Sequence, residues 1–272
     1  MSDLYAVVGN PVSHSKSPLI HTIFAQQTHQ VMQYTAILAP LNGFKSAVEN
    51  FHNQGGKGLN VTVPFKMEAF QLATRVTERA ASAQAVNTLK FNNGEILGDN
   101  TDGIGLLRDI ELNLGVTITG KRILLMGAGG AAQGVILPLL QQKPAMLAIA
   151  NRTPQKAYAL QQQFSTFGKV VAGDFTSFAN QRFDIIINAT SASLSGALPE
   201  IPADIFAQTE LAYDMMYGHE PSRFLKFAQQ HGARHIADGI GMLVEQAAES
   251  FLLWRGIRPQ TIPVIALLKA SN

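Results

Sequence analysis

Apolar positions fall into two periods along the chain, and the period switches at glycine and proline. Residues 4–8 form a short apolar run stopped by Gly9-Asn10-Pro11, read as a first strand. Ser17-Pro18 predicts a helix start, with serine as N-cap, proline at the first helical position and Leu19, Ile20, Ile23 and Phe24 on one face. A second strand is expected over 34–38. Leu41, Phe44, Val48 and Phe51 then predict a helix closed by Gly55-Gly56. Leu59, Val61 and Val63 alternate with Asn60 and Thr62, as in a half-buried strand that ends at Pro64. Helical sequence is expected up to about residue 83, then a hairpin of 88–91 and 95–98 around Asn92-Asn93-Gly94. Alternating strands and helices predict a small α/β sheet.

The pattern restarts after a helix expected near 104–114. Residues 121–126 read as a strand running into Gly127-Ala128-Gly129-Gly130-Ala131-Ala132, which opens a helix. Pro138 should kink that helix or mark a wrong boundary. Strands are expected at 147–150, at 185–187 with both faces buried, and at 211–215. Thr153 and Pro154 read as N-cap and first helical position. In the tail, Leu243, Ala247, Phe251 and Trp254 share one helical face, and this helix is expected to return to the first domain. The fold class is therefore α/β with two domains. Residues 1–103 and 240–272 would form a discontinuous α/β domain, and 104–239 a Rossmann domain.

Composition narrows the function classes. Of the 272 residues, 46% are hydrophobic and 15% charged, enough for a sizeable core and against disorder. A net charge of +2 argues against nucleic acid or an anionic membrane as main partner. The absence of cysteine excludes disulfides and a thiolate nucleophile. The seven histidines show no paired-ligand spacing, so no metal is expected. No apolar run reaches the roughly 18 residues of a membrane span, and the first residues do not read as a secretory signal. The expected setting is cytoplasmic.

The glycine-rich turn matches G-x-G-x-x-A. Gly127 permits the tight turn, Gly129 lets backbone approach a pyrophosphate, and Ala132 lets the helix pack on the sheet. The helix start offers free N–H groups to phosphate. After the next strand come Asn151, Arg152 and Thr153, with Lys156 a turn later and no acid to bind a ribose 2′-hydroxyl. That set suits a 2′-phosphate, so NADP(H) is expected rather than NAD(H). A nicotinamide cofactor implies hydride transfer, and a reduced ketone needs a proton. Lys66, where a strand meets a loop, and Asp102, where the first domain hands over to the second, are the candidate proton-handling pair. The plain alternatives are a solvated lysine and a helix N-cap.

The segments GNPVSHSKSP, NVTVPFK, AVNT, GDNTDG, GAGGAA, NRT, INATS, YDMMY and DGIGMLVEQAA, in that order, resemble the shikimate dehydrogenase family. The resemblance implies NADPH-dependent reduction of 3-dehydroshikimate to shikimate, with Lys66 and Asp102 catalytic. It implies that Ser15, Ser17 and Tyr217 bind the substrate carboxylate and that Thr62, Asn87 and Gln246 bind its hydroxyls, with Asn60 close by. It implies Gly127, Ala128, Gly129, Gly130, Ala131, Asn151, Arg152, Thr153, Lys156, Thr190, Ser191, Met215 and Gly239 around the cofactor. Lys156 stands where the family usually has a second arginine. A relative that also oxidises quinate, often with NAD, is the competing reading. A silent NADP-binding sensor would have lost Lys66 or Asp102. Sequence leaves a homodimer open.

Overall fold

The computed structural model describes residues 2–92, 94–190, 192 and 198–270. The chain divides into two units, each with its own sheet. One comprises Met1–Gly105 with Leu243–Leu267, the other Leu106–Met242 with Leu268–Asn272.

In the first unit, strands β1 (Asp3–Gly9), β2 (Met32–Leu38), β3 (Gly56–Val61), β4 (Arg75–Val76), β5 (Thr88–Asn92) and β6 (Glu95–Asp99) form one sheet. Their order is β2-β1-β3-β5-β6-β4. β1 runs parallel to β2 and β3, whereas β5 is antiparallel to β3 and β6. Helices α1 (Ser17–Gln27), α2 (Phe44–Asn53), α3 (Lys66–Leu72) and α4 (Glu78–Ala83) connect the strands, and α5 (Asp102–Arg108) follows β6. Phe44, Val48, Phe51, Leu59, Val61, Phe65 and Leu89 form the core beneath α2 and α3.

Several local expectations change. Helix α1 begins at Ser17 itself, and no side chain caps it from Lys16. Ser15 Oγ instead accepts the Ser17 N–H at 3.2 Å, because the Val12–Ser15 turn brings it there. Leu41 lies outside α2 and is exposed, since a Pro40–Gly43 turn delays the helix to Phe44. β3 is buried at all but one position rather than half-buried, being flanked by β1 and β5, and Val63 is exposed beyond its end. The expected helical stretch up to residue 83 is split by β4, which pairs with β6. Thr77 then caps α4 by accepting the Ala80 N–H. α5 starts at Asp102, two residues before the predicted Ile104, and passes into a π-turn at Asp109–Asn113. The hairpin is present, with Asn92 opposite Glu95; Asn93 lies outside the described residues.

In the second unit, β7 (Arg122–Met126), β8 (Met146–Ala150), β9 (Val170–Gly173), β10 (Ile185–Asn188), β11 (Leu211–Asp214) and β12 (His235–Ala237) are all parallel, in the order β12-β11-β10-β7-β8-β9. This is the dinucleotide-binding order, reversing direction at β7 and β10. The unit also carries α6 (Gly130–Gln141), α7 (Pro154–Phe164) and α8 (Arg223–Gln230). β8 and β10 are buried throughout, as continuous apolar strands of a parallel sheet must be. α6 continues through the buried Pro138. The last helices are α9 (Ile240–Arg255) and α10 (Ile262–Ala270).

From Leu243 onward α9 belongs to the first unit. Its Trp254 Nε1 donates to the Leu89 carbonyl of β5 at 2.9 Å, and Arg79 of α4 reaches its Glu249 at 3.1 Å. A Cβ at Gly58 of β3 would collide with the Trp254 indole nitrogen, so this strand position accepts the helix only as glycine.

Candidate active site

Lys66 is the first residue of α3, and Asp102 the first of α5. Lys66 Nζ donates to Asp102 Oδ2 at 2.6 Å. The lysine side chain is 29% accessible and the carboxylate 12%, so the pair is shielded yet reachable. The Lys66 carbonyl accepts the Val86 N–H, which sets β5's approach beside it. Asn87 then donates to Asp102 Oδ1 at 2.7 Å and to Thr101 Oγ1 at 3.0 Å, and lies 3.5 Å from Gln246 Oε1. Both oxygens of Asp102 therefore face the interior of the site rather than capping their own helix. Lys66, Asn87, Asp102 and Gln246 form one hydrogen-bonded group on four separate elements or their ends.

The remaining candidates of this unit lie at or just before the start of α1 and along or just past β3. Ser15 is half-buried and Ser17 buried at the start of α1. The Tyr34 phenol hydrogen-bonds with Ser17, and burial pushes it well above its ordinary pKa. It donates to Asn60 Oδ1 at 2.7 Å. Asn60 is buried, and its Nδ2 faces Ser250 Oγ at 3.0 Å, Thr88 Oγ1 at 3.1 Å and the Asn87 carbonyl at 3.3 Å. Its amide is thus committed to joining β3, β5 and α9. Thr62 follows β3, where its methyl fills the space left by Gly9. Next to Ser17 on the inner face of α1, His21 is fully buried and stacks on Tyr34 at 4.2 Å; burial lowers its pKa to about 3. The imidazole is neutral, so serine hydroxyls and the helix N-terminus, not a histidine cation, are what this corner offers an anion.

Sequence reasoning missed Thr88, Thr101, Ser250 and Tyr34, all engaged in this network. It also missed Asp99. Burial pushes the Asp99 carboxyl up, but Arg79 and Thr77 outweigh that and hold it below the usual carboxylate range. Thr88 lay within the quoted AVNT, and Asp99 and Thr101 within GDNTDG, but without assigned roles; Tyr34 and Ser250 lay in no quoted motif and acquire their partners from distant segments.

The second unit carries the nucleotide candidates. Gly127 has φ +108, and a Cβ there would meet the Ala189 carbonyl at 3.0 Å, so the turn requires glycine. A Cβ at Gly129 or Gly130 would meet nothing within 4 Å, which leaves the start of α6 open to a phosphate group. Ala128 and Ala131 complete the loop, while Ala132 is buried against the sheet. At the end of β8, Asn151 Nδ2 donates to the Thr153 carbonyl at 2.8 Å, bending the chain around an exposed Arg152. Thr153 occupies the N-cap of α7, but its hydroxyl makes no capping bond. Lys156 is exposed one turn on, and among the described residues no acid pairs with it or with Arg152. This donor set fits a phosphorylated ribose. Thr190 is oriented by Asn188, its hydroxyl donating at 2.7 Å. Ser191 lies outside the described residues. Met215 and Gly239 touch, and a Cβ at Gly239 would collide with the Met215 carbonyl oxygen. Tyr217 also belongs to this unit and is half-buried, which raises its pKa. Among the described residues no cluster of three potential metal ligands occurs, and no helix is long and apolar enough to cross a membrane.

Residues 7–89 match the shikimate dehydrogenase substrate binding domain, 110–196 match shikimate/quinate 5-dehydrogenase, and 239–269 match the shikimate 5′-dehydrogenase C-terminal domain. The chain is 63% identical, over 98% of its length and 97% of the relative's, to a shikimate dehydrogenase (NADP(+)) of Nitrosomonas eutropha. The chain belongs to the shikimate dehydrogenase family. Among solved members and neighbours, an Ael1 enzyme from Pseudomonas putida is 50% identical, with a TM-score of 0.95 and 98% of both chains covered. A shikimate 5-dehydrogenase from Thermus thermophilus, solved with NADP(H) and shikimate, is 28% identical. Its TM-score is 0.88, with 99% of this chain and all 100% of that one covered. The shikimate dehydrogenase architecture thus extends over both units of this chain.

Proposed function

We propose that the chain catalyses the NADPH-dependent, reversible reduction of 3-dehydroshikimate to shikimate. The observation that carries the reading is the 2.6 Å Lys66–Asp102 pair, tied by Asn87 to the hydroxyl-rich network around it. When bound, NADPH supplies the hydride that reduces the carbonyl carbon. Lys66 donates a proton to the oxygen as negative charge develops there, and takes one from the alcohol in reverse. Asp102 holds the ammonium and accepts a hydrogen bond from the substrate hydroxyl. Asn87, Thr62 and Gln246 orient the ring hydroxyls, and Asn60 acts from behind by fixing Asn87. Ser15 and Ser17, with Tyr217, bind the carboxylate through neutral donors, which fix it without an excess charge.

In this reading residues 1–103 and 240–272 are the substrate-binding and catalytic domain, and 104–239 the NADP-binding domain. Gly127 to Ala131 would hold the diphosphate, with Thr190 further along it, and Ser191, outside the described residues, is assigned to the same run by the family resemblance alone. Met215 and Gly239 border the nicotinamide. Asn151, Arg152, Thr153 and Lys156 hold the 2′-phosphate, lysine keeping the charge without the planar fork of arginine. The setting is cytoplasmic. The test is the appearance of the NADPH absorbance band with shikimate and NADP⁺, set against quinate and NAD⁺. Turnover with shikimate and NADP⁺ well above the other three combinations is expected; equal turnover of quinate, or with NAD⁺, contradicts the reading.

A further inference from the structure

Asp102 is the first residue of α5, where an aspartate would ordinarily be spent on the helix's own unpaired N–H groups. Here it is not. Its Oδ1 accepts from Asn87 and its Oδ2 from Lys66. The N–H of Asp102 is taken by Asn100 Oδ1 at 3.1 Å. Asn100 is 1% exposed, and its Nδ2 donates to the Ala85 carbonyl at 3.1 Å. Its own N–H is held by Asp99 Oδ1 at 2.8 Å. Both ends of this buried side-chain amide are therefore engaged, and one of its bonds ends on the backbone of a catalytic residue.

We propose that Asn100 is a positioning residue for the Lys66–Asp102 pair: it caps α5, and so leaves the Asp102 carboxylate to Lys66 and Asn87. This rests on the functional reading above. Without the Asn100 acceptor, the buried Asp102 N–H loses its partner, which favours fraying of the first turn. Asp102 then becomes the N-cap, and its carboxylate turns to the N–H groups two and three residues on, as aspartate does at that position. Lys66 is left without the anion that holds its ammonium in place. The loss falls on the proton-transfer step and not on the cofactor site.

The experiment compares wild type, Asn100→Ala and Asn100→Ser in shikimate oxidation with NADP⁺. Asn100→Ala removes the acceptor, and kcat is expected to fall about tenfold or more while KM for NADP⁺ stays within about twofold. Asn100→Ser keeps an acceptor suited to an N-cap and should recover kcat to within about threefold of wild type. Two outcomes overturn the proposal alone: an active wild type with Asn100→Ala within about twofold in kcat, or folded Asn100→Ser with kcat down by about tenfold or more. The serine variant decides the matter where alanine fails to fold. A folded wild type that does not oxidise shikimate overturns the functional reading instead.

Discussion

Lys66 carries the proton only if its ammonium stays beside Asp102, and the 2.6 Å contact sets that arrangement. Lys66→Ala should lower turnover by about 100-fold or more. The NADPH dissociation constant, followed by nucleotide fluorescence, should change by less than about twofold. Arg152 is exposed at the end of β8 with no acid beside it among the described residues. Arg152→Ala should raise KM for NADPH by about tenfold, and KM for NADH far less, because only NADPH has a phosphate for the guanidinium; equal rises would remove Arg152 from that role. Both residues were legible in sequence because each stands where a regular element meets a loop. Asn100, Thr88 and Ser250 were not, since a buried amide or hydroxyl looks the same in sequence as a solvated one. Its meaning here comes from partners such as Ala85 and Asn60.

At the scale of elements, period and glycine placement revealed most strands and helices but not their surroundings. β3 was read as half-buried because Asn60 and Thr62 alternate with apolar residues. The structure buries Asn60 by giving it hydrogen-bond partners. β4, only two residues long, has no periodicity to detect. Ser17 looked like an N-cap, but it is the first helical residue, and the preceding turn brings Ser15 Oγ to its N–H. The meeting of β3 with α9 gives a direct test. A Cβ at Gly58 would collide with Trp254 Nε1 and lie 2.8 Å from the Leu89 carbonyl oxygen, and backbone cannot move aside cheaply. Gly58→Ala should therefore cost about 2 kcal/mol or more of unfolding free energy in urea titrations.

Across the whole molecule, stability should depend on pH through His21. Burial holds its folded-state pKa at about 3, whereas an unfolded histidine titrates near about 6.5. Between those values the unfolded chain binds a proton that the native state refuses, so stability falls as pH drops from about 6.5 towards 3. From about pH 7 to about pH 5 the loss should be roughly 2 kcal/mol. His21→Phe keeps a ring against Tyr34 and should lack this component, as paired urea titrations at the two pH values would show. The two-unit organisation was readable from the restart of the α/β pattern after residue 104. The return of α9 to the first sheet was inferred from one apolar helical face, without its polar anchors. Those anchors have a consequence for biosynthesis. The unit that holds Lys66 leaves the ribosome first but cannot close until residues 243–267 have been made, because Asn60, Arg79, Lys90 and the Leu89 carbonyl all wait for partners on α9. For most of translation the nascent first sheet, its six strands complete by Asp99, lacks the α9 cover over Asn60 and Leu89, and the nucleotide-type sheet has made every strand of its own, through Ala237, before that cover arrives.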